Sequence, residues 1–131
     1  MARIRDEMNS ALEAGCGVYR EQASMALACK ELAILQERVA RLRLSDASRV
    51  FNTELVAALE LHNMLDAAEA VANAALARKE SRGAHACSDH PARNDAEYLH
   101  HSLVTRSAEG RPVVGRKAVT LGIWQPEERK Y

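Results

Sequence analysis

From residue 53 to residue 82 the chain runs without a glycine or proline, and leucine, alanine, valine and methionine recur there at helical spacing. This stretch reads as one long helix from about 53 to about 80, capped by Asn52 or Thr53 with Glu54 in its first turn. At about 100° per residue, Val71, Met64, Ala57, Ala68, Leu61, Ala72, Leu65 and Leu76 form one apolar arc. Glu60, Asn63, Asp66, Glu69 and Asn73 take the other half, interleaved with Ala67, Ala70, Ala74 and Ala77. Those alanines serve helix propensity alone, or they permit close approach by a missing domain. The chain is 47% apolar but holds one Phe, one Trp and three Tyr. Its core must therefore be aliphatic and alanine-rich, which favours close-packed helices.

Two further helices precede the long one. Ile4, Met8, Ala11 and Leu12 place the first from 2 to about 14, where Gly15-Cys16-Gly17 stops the pattern. Val18-Tyr19-Arg20 is a connector. From about 21 to 42, Met25, Cys29, Leu32, Leu35, Val39 and Leu42 repeat every three or four residues, a seam suited to an antiparallel bundle. Residues 44 to 48 form a polar break without the proline or glycine run of a domain linker. The predicted fold is mainly α: a three-helix, spectrin-repeat-like bundle over 1–82, then residues 83–131 packed on it as part of one domain. That second part should comprise a polar loop at 85–94, a helical turn near 95–99, a β-hairpin and an extended tail. The hairpin pairs 102–106 with 113–121 across a turn at 107–112. It would be marginal alone and needs the bundle or a partner to lie against.

The long helix ends in a dense polar cluster, Arg78, Glu80, Ser81 and Arg82, followed by Gly83, which can adopt the left-handed conformation that closes a helix. Read physically, this is a helix C-terminus with cations where the dipole favours them. The spacing Arg78-x-Glu80-Ser81-Arg82-Gly83-x-His85 also resembles the signature of the succinate dehydrogenase and fumarate reductase flavoproteins, whose wider family includes aspartate oxidase. Ile4-Arg5-Asp6-Glu7-Met8, the run from Glu13 to Arg20, Val50-Phe51-Asn52-Thr53-Glu54-Leu55 and Pro126-x-x-Arg129-x-Tyr131 resemble the same C-terminal region in the same order. Gln125 departs from the family's usual ending, where a first of two prolines is common; Tyr131 is free to pack on a neighbour.

The resemblance implies the C-terminal domain of a flavoprotein subunit that interconverts succinate and fumarate, passing electrons between FAD and an iron–sulfur subunit. In that family the FAD and the substrate-binding His and Arg belong to upstream domains. The expectation is therefore no catalytic, cofactor-binding or metal residue in this chain, and no succinate oxidation by it alone. Its partners would be the FAD-binding and capping domains and the iron–sulfur subunit. Arg78, Glu80, Ser81, Arg82, Gly83 and His85 would hold a domain interface through buried ion pairs, with Glu80 and Arg82 the best candidates for contacts across it. A fork of guanidinium donors also suits carboxylate or phosphate recognition, and His85 a proton shuttle; the structural reading is preferred. The alternative function is a free-standing helical interaction module.

Other function classes are disfavoured. Charges balance at 18 basic and 18 acidic residues, so no global field draws in nucleic acid or anionic lipid. No run approaches the roughly 18 apolar residues of a membrane span, and the N-terminus lacks a signal peptide's apolar core. The expected location is the cytoplasm, or the cytoplasmic face of the inner membrane within an anchored complex. Cys16, Cys29 and Cys87 fit free thiols in a reducing compartment. His85-x-Cys87-x-Asp89-His90 holds zinc-ligand types, but four ligands crowded into six residues cannot easily converge. A polar surface loop is the simpler reading, although Asp89, Pro91, Arg93 and Asp95 resemble the family's loop. His100 and His101, being adjacent, point apart, one structural and one exposed. His62 is solvated or at an interface. Gly15 and Gly17 precede a connector, not a strand-to-helix turn, and match no nucleotide-binding loop.

Overall fold

The computed structural model describes residues 1–127; the expectations for Arg129 and Tyr131 lie outside the described residues. Eight elements follow in order: α1 (Ala2–Cys16), β1 (Tyr19–Arg20), α2 (Gln22–Val39), α3 (Thr53–Leu76), β2 (Ala86–Cys87), α4 (Asp95–Tyr98), β3 (His100–Arg106) and β4 (Pro112–Ala118). The mainly α bundle with a C-terminal hairpin is present as expected.

The three long helices pack around Ile4, Met8, Leu32, Leu35, Val39, Leu61, Leu65, Ala68 and Ala72, with Leu12, Cys16, Cys29 and Leu42 at the margin. Burying a leucine here stabilises by about 1.5–3 kcal/mol. The α2 seam lies inward as its spacing predicts. On α3 the arc narrows: Leu61, Leu65, Ala68 and Ala72 are buried, whereas Met64 and Val71 stay exposed. Glu69, expected on the wet half, is buried. Gln36 Nε2 donates to its Oε2 at 3.2 Å, and Arg106 of β3 lies 3.6 Å from the same oxygen. The hairpin covers this face of α3, and that covering is not written in the helix's own periodicity.

Gly15 does not stop α1. A Cβ there would lie 2.5 Å from Ala28 Cβ and 2.9 Å from the Ser24 carbonyl, so the glycine lets α1 and α2 touch backbone to backbone. The helix ends one residue later, at Cys16. α2 is shorter than expected, ending at Val39, and residues 41 and 42 just beyond it close in tight i→i+3 bonds, Arg41 N–H to Arg38 O and Leu42 N–H to Val39 O. At the start of α3, Asn52 Oδ1 accepts from Leu55 N–H at 2.7 Å, so Asn52 rather than Thr53 is the cap.

α3 ends at Leu76, before Arg78, and has no basic residue in its last turn. The cation-bearing helix terminus read from the sequence is therefore corrected: residues 78–82 are irregular, because their side chains find partners on the loop and hairpin instead of the next helical turn. Gly83 is left-handed, φ +56°, but as part of a two-residue turn in which Arg82 and His85 exchange both backbone hydrogen bonds. The connector at 18–20 holds a further surprise: β1 pairs in parallel with β2, Tyr19 with Ala86 and Arg20 with Cys87. β3 and β4 pair antiparallel from His100–Ala118 to Arg106–Pro112, ending earlier than the predicted 121. Arg106 ties the hairpin to α3 through Asp66 at 2.5 Å.

Candidate functional site

The loop after α3 folds back over the end of the bundle, and Glu80 lies at its centre with no exposure to solvent. Its Oε1 accepts from Arg78 Nη1 at 2.5 Å and Arg82 Nε at 2.8 Å. Its Oε2 accepts from Arg82 Nη2 and from the Asn94 backbone N–H, both at 2.9 Å. Arg82 thus makes the two-pronged contact that suits a guanidinium. Burial pushes the Glu80 carboxyl up, but the hydrogen bonds from Arg82, Asn94 and Arg78 outweigh it and hold it below its ordinary value. A carboxylate so enclosed stays charged, as does Arg82, whose affinity for its proton the Glu80 hydrogen bonds raise.

The chain of alternating charge continues outward. Arg82 Nη2 also donates to Asp95 Oδ1 at 2.5 Å, and Arg93 grips Asp95 through both carboxylate oxygens at 2.8 and 2.6 Å. Arg93 first, then Arg82, holds that carboxyl well below the usual range. Arg78 turns the other way, donating to the carbonyls of Tyr98 at 3.0 Å and His100 at 2.5 Å, which fixes the start of β3. Its guanidinium lies 5.9 Å from the centre of the Tyr98 ring, and that of Arg116 lies 5.8 Å from it.

His85 has one self-consistent protonation state. Arg20 Nη1 lies 2.9 Å from its Nδ1, and a guanidinium can only donate, so Nδ1 accepts. The ring proton is then on Nε2, which donates to Arg78 O at 3.1 Å. Burial, reinforced by the Arg20 and Arg78 charges, lowers its pKa from the usual 6.5, only partly opposed by the bond to Arg78 O. Both nitrogens being engaged, His85 is placed as a structural pin between β1 and the loop, not as a proton shuttle.

Ser81 rivets the loop to itself. Its hydroxyl accepts from Cys87 N–H at 2.9 Å and lies 2.8 Å from His90 O, while its backbone N–H donates to Ala92 O. Asp89 reaches further, its Oδ2 accepting from Gln22 N–H at 2.6 Å. Glu21 makes no side-chain cap, so the loop supplies the cap for α2 from 67 residues away.

The motif residues therefore converge, but not all where expected. Glu80 is enclosed by donors of its own chain and is not available for contacts across an interface; Arg82, with its side chain 26% exposed, remains so. Arg20, Asn94, Tyr98 and Arg116 belong to the site without having been assigned a role from sequence. The parallel strand pair brings in Arg20 and the antiparallel hairpin Arg116, while Asn94 and Tyr98 come from the cap and the end of α4; only Arg20 lay within a quoted motif. His100 sits 5.9 Å from the Tyr98 ring and is half-buried, while His101 and His62 are exposed. Cys87 is buried, and among the described residues no three His, Cys, Asp or Glu side chains gather as metal ligands would. All three cysteines are free, and burial pushes the Cys29 thiol up to about 11, leaving it protonated at neutral pH. The described residues do not fit a dinucleotide such as FAD. Parallel pairing is confined to two-residue strands, and the glycines at 15 and 17 end a helix and lead into a strand, the reverse of a phosphate-cradling turn.

These features define a helical bundle domain whose last helix feeds a buried arginine–glutamate–arginine lock, with a hairpin laid across it. Residues 5–131 match the family described as fumarate reductase flavoprotein C-term, and the chain belongs to that family. It is similar to the fumarate reductase flavoprotein subunit of Haemophilus influenzae, 45% identical over 99% of this chain and 22% of that protein. The Mycobacterium tuberculosis subunit is 46% identical over the whole chain and 22% of its own length. A variant of FrdA from Escherichia coli quinol fumarate reductase superposes with a TM-score of 0.92 at 43% identity, covering 97% of this chain and 22% of that one. The chain thus spans about a fifth of the length of these relatives.

Proposed function

We propose that this chain serves as the C-terminal domain of a flavoprotein subunit that interconverts succinate and fumarate. Its part is to brace the FAD-binding and capping domains and to form a share of the surface facing an iron–sulfur subunit. The substrate and flavin chemistry belongs to those other domains, and no step is assigned to residues of this chain. The subunit would lie in the cytoplasm or at the cytoplasmic face of a membrane-anchored complex; no helix among the described residues is long and apolar enough to cross a membrane.

The observation that carries this reading is the apolar surface left uncovered at the start of α3, the end of that helix away from the lock. Val50, Phe51, Leu55, Val56 and Leu59 stand exposed together at the start of α3, Phe51 at 95% and in a left-handed conformation, φ 52°. Ile123 and Trp124 are exposed at 93% and 85%. The cluster at the start of α3 is apolar surface of the kind that packs on something else. The relatives are whole flavoprotein subunits, which favours a covalently joined partner over a free-standing module.

The test is a flavin absorbance spectrum of the purified chain after incubation with FAD, then addition of succinate and an artificial electron acceptor. The expected result is no stoichiometric flavin and no turnover. Bound flavin with turnover would overturn the reading.

A further inference from the structure

Beside the lock runs an open groove of about 490 Å³, lined chiefly by Arg78, Arg82, His85, Tyr98, His100 and His101. Its surroundings carry more cations than the loop can neutralise. Arg20, Arg78, Arg82 and Arg116 meet around it, while the carboxylates bonded to them among the described residues are Glu80 and Asp95. Glu80 has all four acceptor positions filled, and Asp95 is shared by Arg82 and Arg93. Among the described residues Arg20 bonds neutral acceptors, the His85 ring and Gly17 O. Arg116 lies over the Tyr98 ring, and no carboxylate among the described residues is within ion-pair distance of it. His100, half-buried in the groove, has its pKa lowered by burial and then by the Arg78 and Arg116 charges.

We propose that this groove is a docking site for an acidic peptide segment, seating a side-chain carboxylate between Arg116 and the edge of the lock when the domain packs on the rest of its protein. The proposal rests on the bracing role above and names the chemistry of what is braced. Charge complementarity identifies the occupant. The donors are already oriented by the Tyr98 ring and carbonyl, Glu80 and the His100 carbonyl, so an incoming carboxylate meets a preorganised positive wall. The groove is open along its length and cannot enclose most of a small ligand's surface, as small-molecule pockets do. A segment anchored elsewhere has no such need. Leu99 and Val119 line it beside the charged groups, adding apolar surface to the charged floor. Single-stranded nucleic acid is a poor fit, because Tyr98 is only 6% exposed and offers no stacking face.

The experiment titrates the isotopically labelled chain with an acetylated peptide of alternating glutamate and glycine, its glutamine counterpart, and free succinate, followed by amide and arginine side-chain NMR signals. The glutamate peptide is expected to shift Tyr98, His101 and Arg116 saturably at low ionic strength, with the effect lost at about 0.5 M salt. Arg116→Gln should weaken it about fivefold, and His101→Gln, at an exposed position outside the lock, should weaken it less. Equal binding of the glutamine peptide, binding of succinate as tight as the glutamate peptide, or no shifts in the folded chain would each overturn the proposal. Those outcomes are independent of the flavin spectrum, so a failed groove and a failed bracing role are told apart.

Discussion

Leu65 in the bundle and Glu80 in the loop are equally hidden from water, each at 0% exposure, yet they are held by forces with different tolerances. Leu65 meets aliphatic neighbours from three helices, and its contribution depends on volume and scarcely on direction. Glu80 meets four donors at fixed angles, and its desolvation is offset only while every one of them stays in place. A region packed by volume can absorb a change of shape; one assembled from charges in register cannot absorb a change of charge. That difference explains why the loop carries the tightly spaced motif while the bundle carries only a hydrophobic pattern.

The largest expected effect sharpens this contrast. Glu80→Gln keeps the shape but sets an amide against two arginines whose side chains are 14% and 26% exposed. It should cost about 3–5 kcal/mol, the range for breaking a buried pair. Leu65→Met, also close in volume, should cost less than about 1.5 kcal/mol. Urea unfolding of both variants checks the pair; similar losses would break the comparison. Leu65→Ala, which opens a cavity, should cost about 2–5 kcal/mol and shows that the bundle is sensitive to volume.

A smaller effect tests whether the two regions are joined. Asp89→Ala removes the cap that the loop gives α2 and should cost about 1 kcal/mol. Amide hydrogen exchange should rise in the first turn of α2, around Gln22, with the α1–α3 contacts unchanged. Uniform faster exchange over the whole bundle would show that the loop is a global support instead.

The last prediction concerns pH. His85 has a folded-state pKa below 6.5, so the unfolded chain binds more protons than the folded one across the window beneath that value. Its neutral form contributes stability that is fully present above about 6.5 and is lost as pH falls through the folded value. Glu80 and Asp95, lowered from 4.5 and 3.8, add losses only in a more acidic window. Denaturant midpoints between pH 5 and 8 should therefore decline on the acidic side for the native chain and stay flatter for His85→Gln. An opposite slope would mean that the protonated ring is the one the fold prefers.

Much of the bundle is legible along the chain. Periodicity placed the α2 seam and the inward Leu61, Leu65, Ala68 and Ala72, because a helix translates spacing directly into a face. The resemblance carried by Arg78, Glu80, Ser81, Arg82, Gly83 and His85 identified the family that the comparisons support. Spacing failed where the answer lay on another element. Nothing near Gly15 states that Ala28 must approach it, nothing in α3 states that Arg106 will cover Glu69, and nothing after Leu76 states that Arg78 will leave the helix for the carbonyls of Tyr98 in α4 and His100 in the hairpin. The local code is a matter of which face an element shows. Which groups meet across 40 or 65 positions is decided only when the chain closes and each buried charge must find its partner.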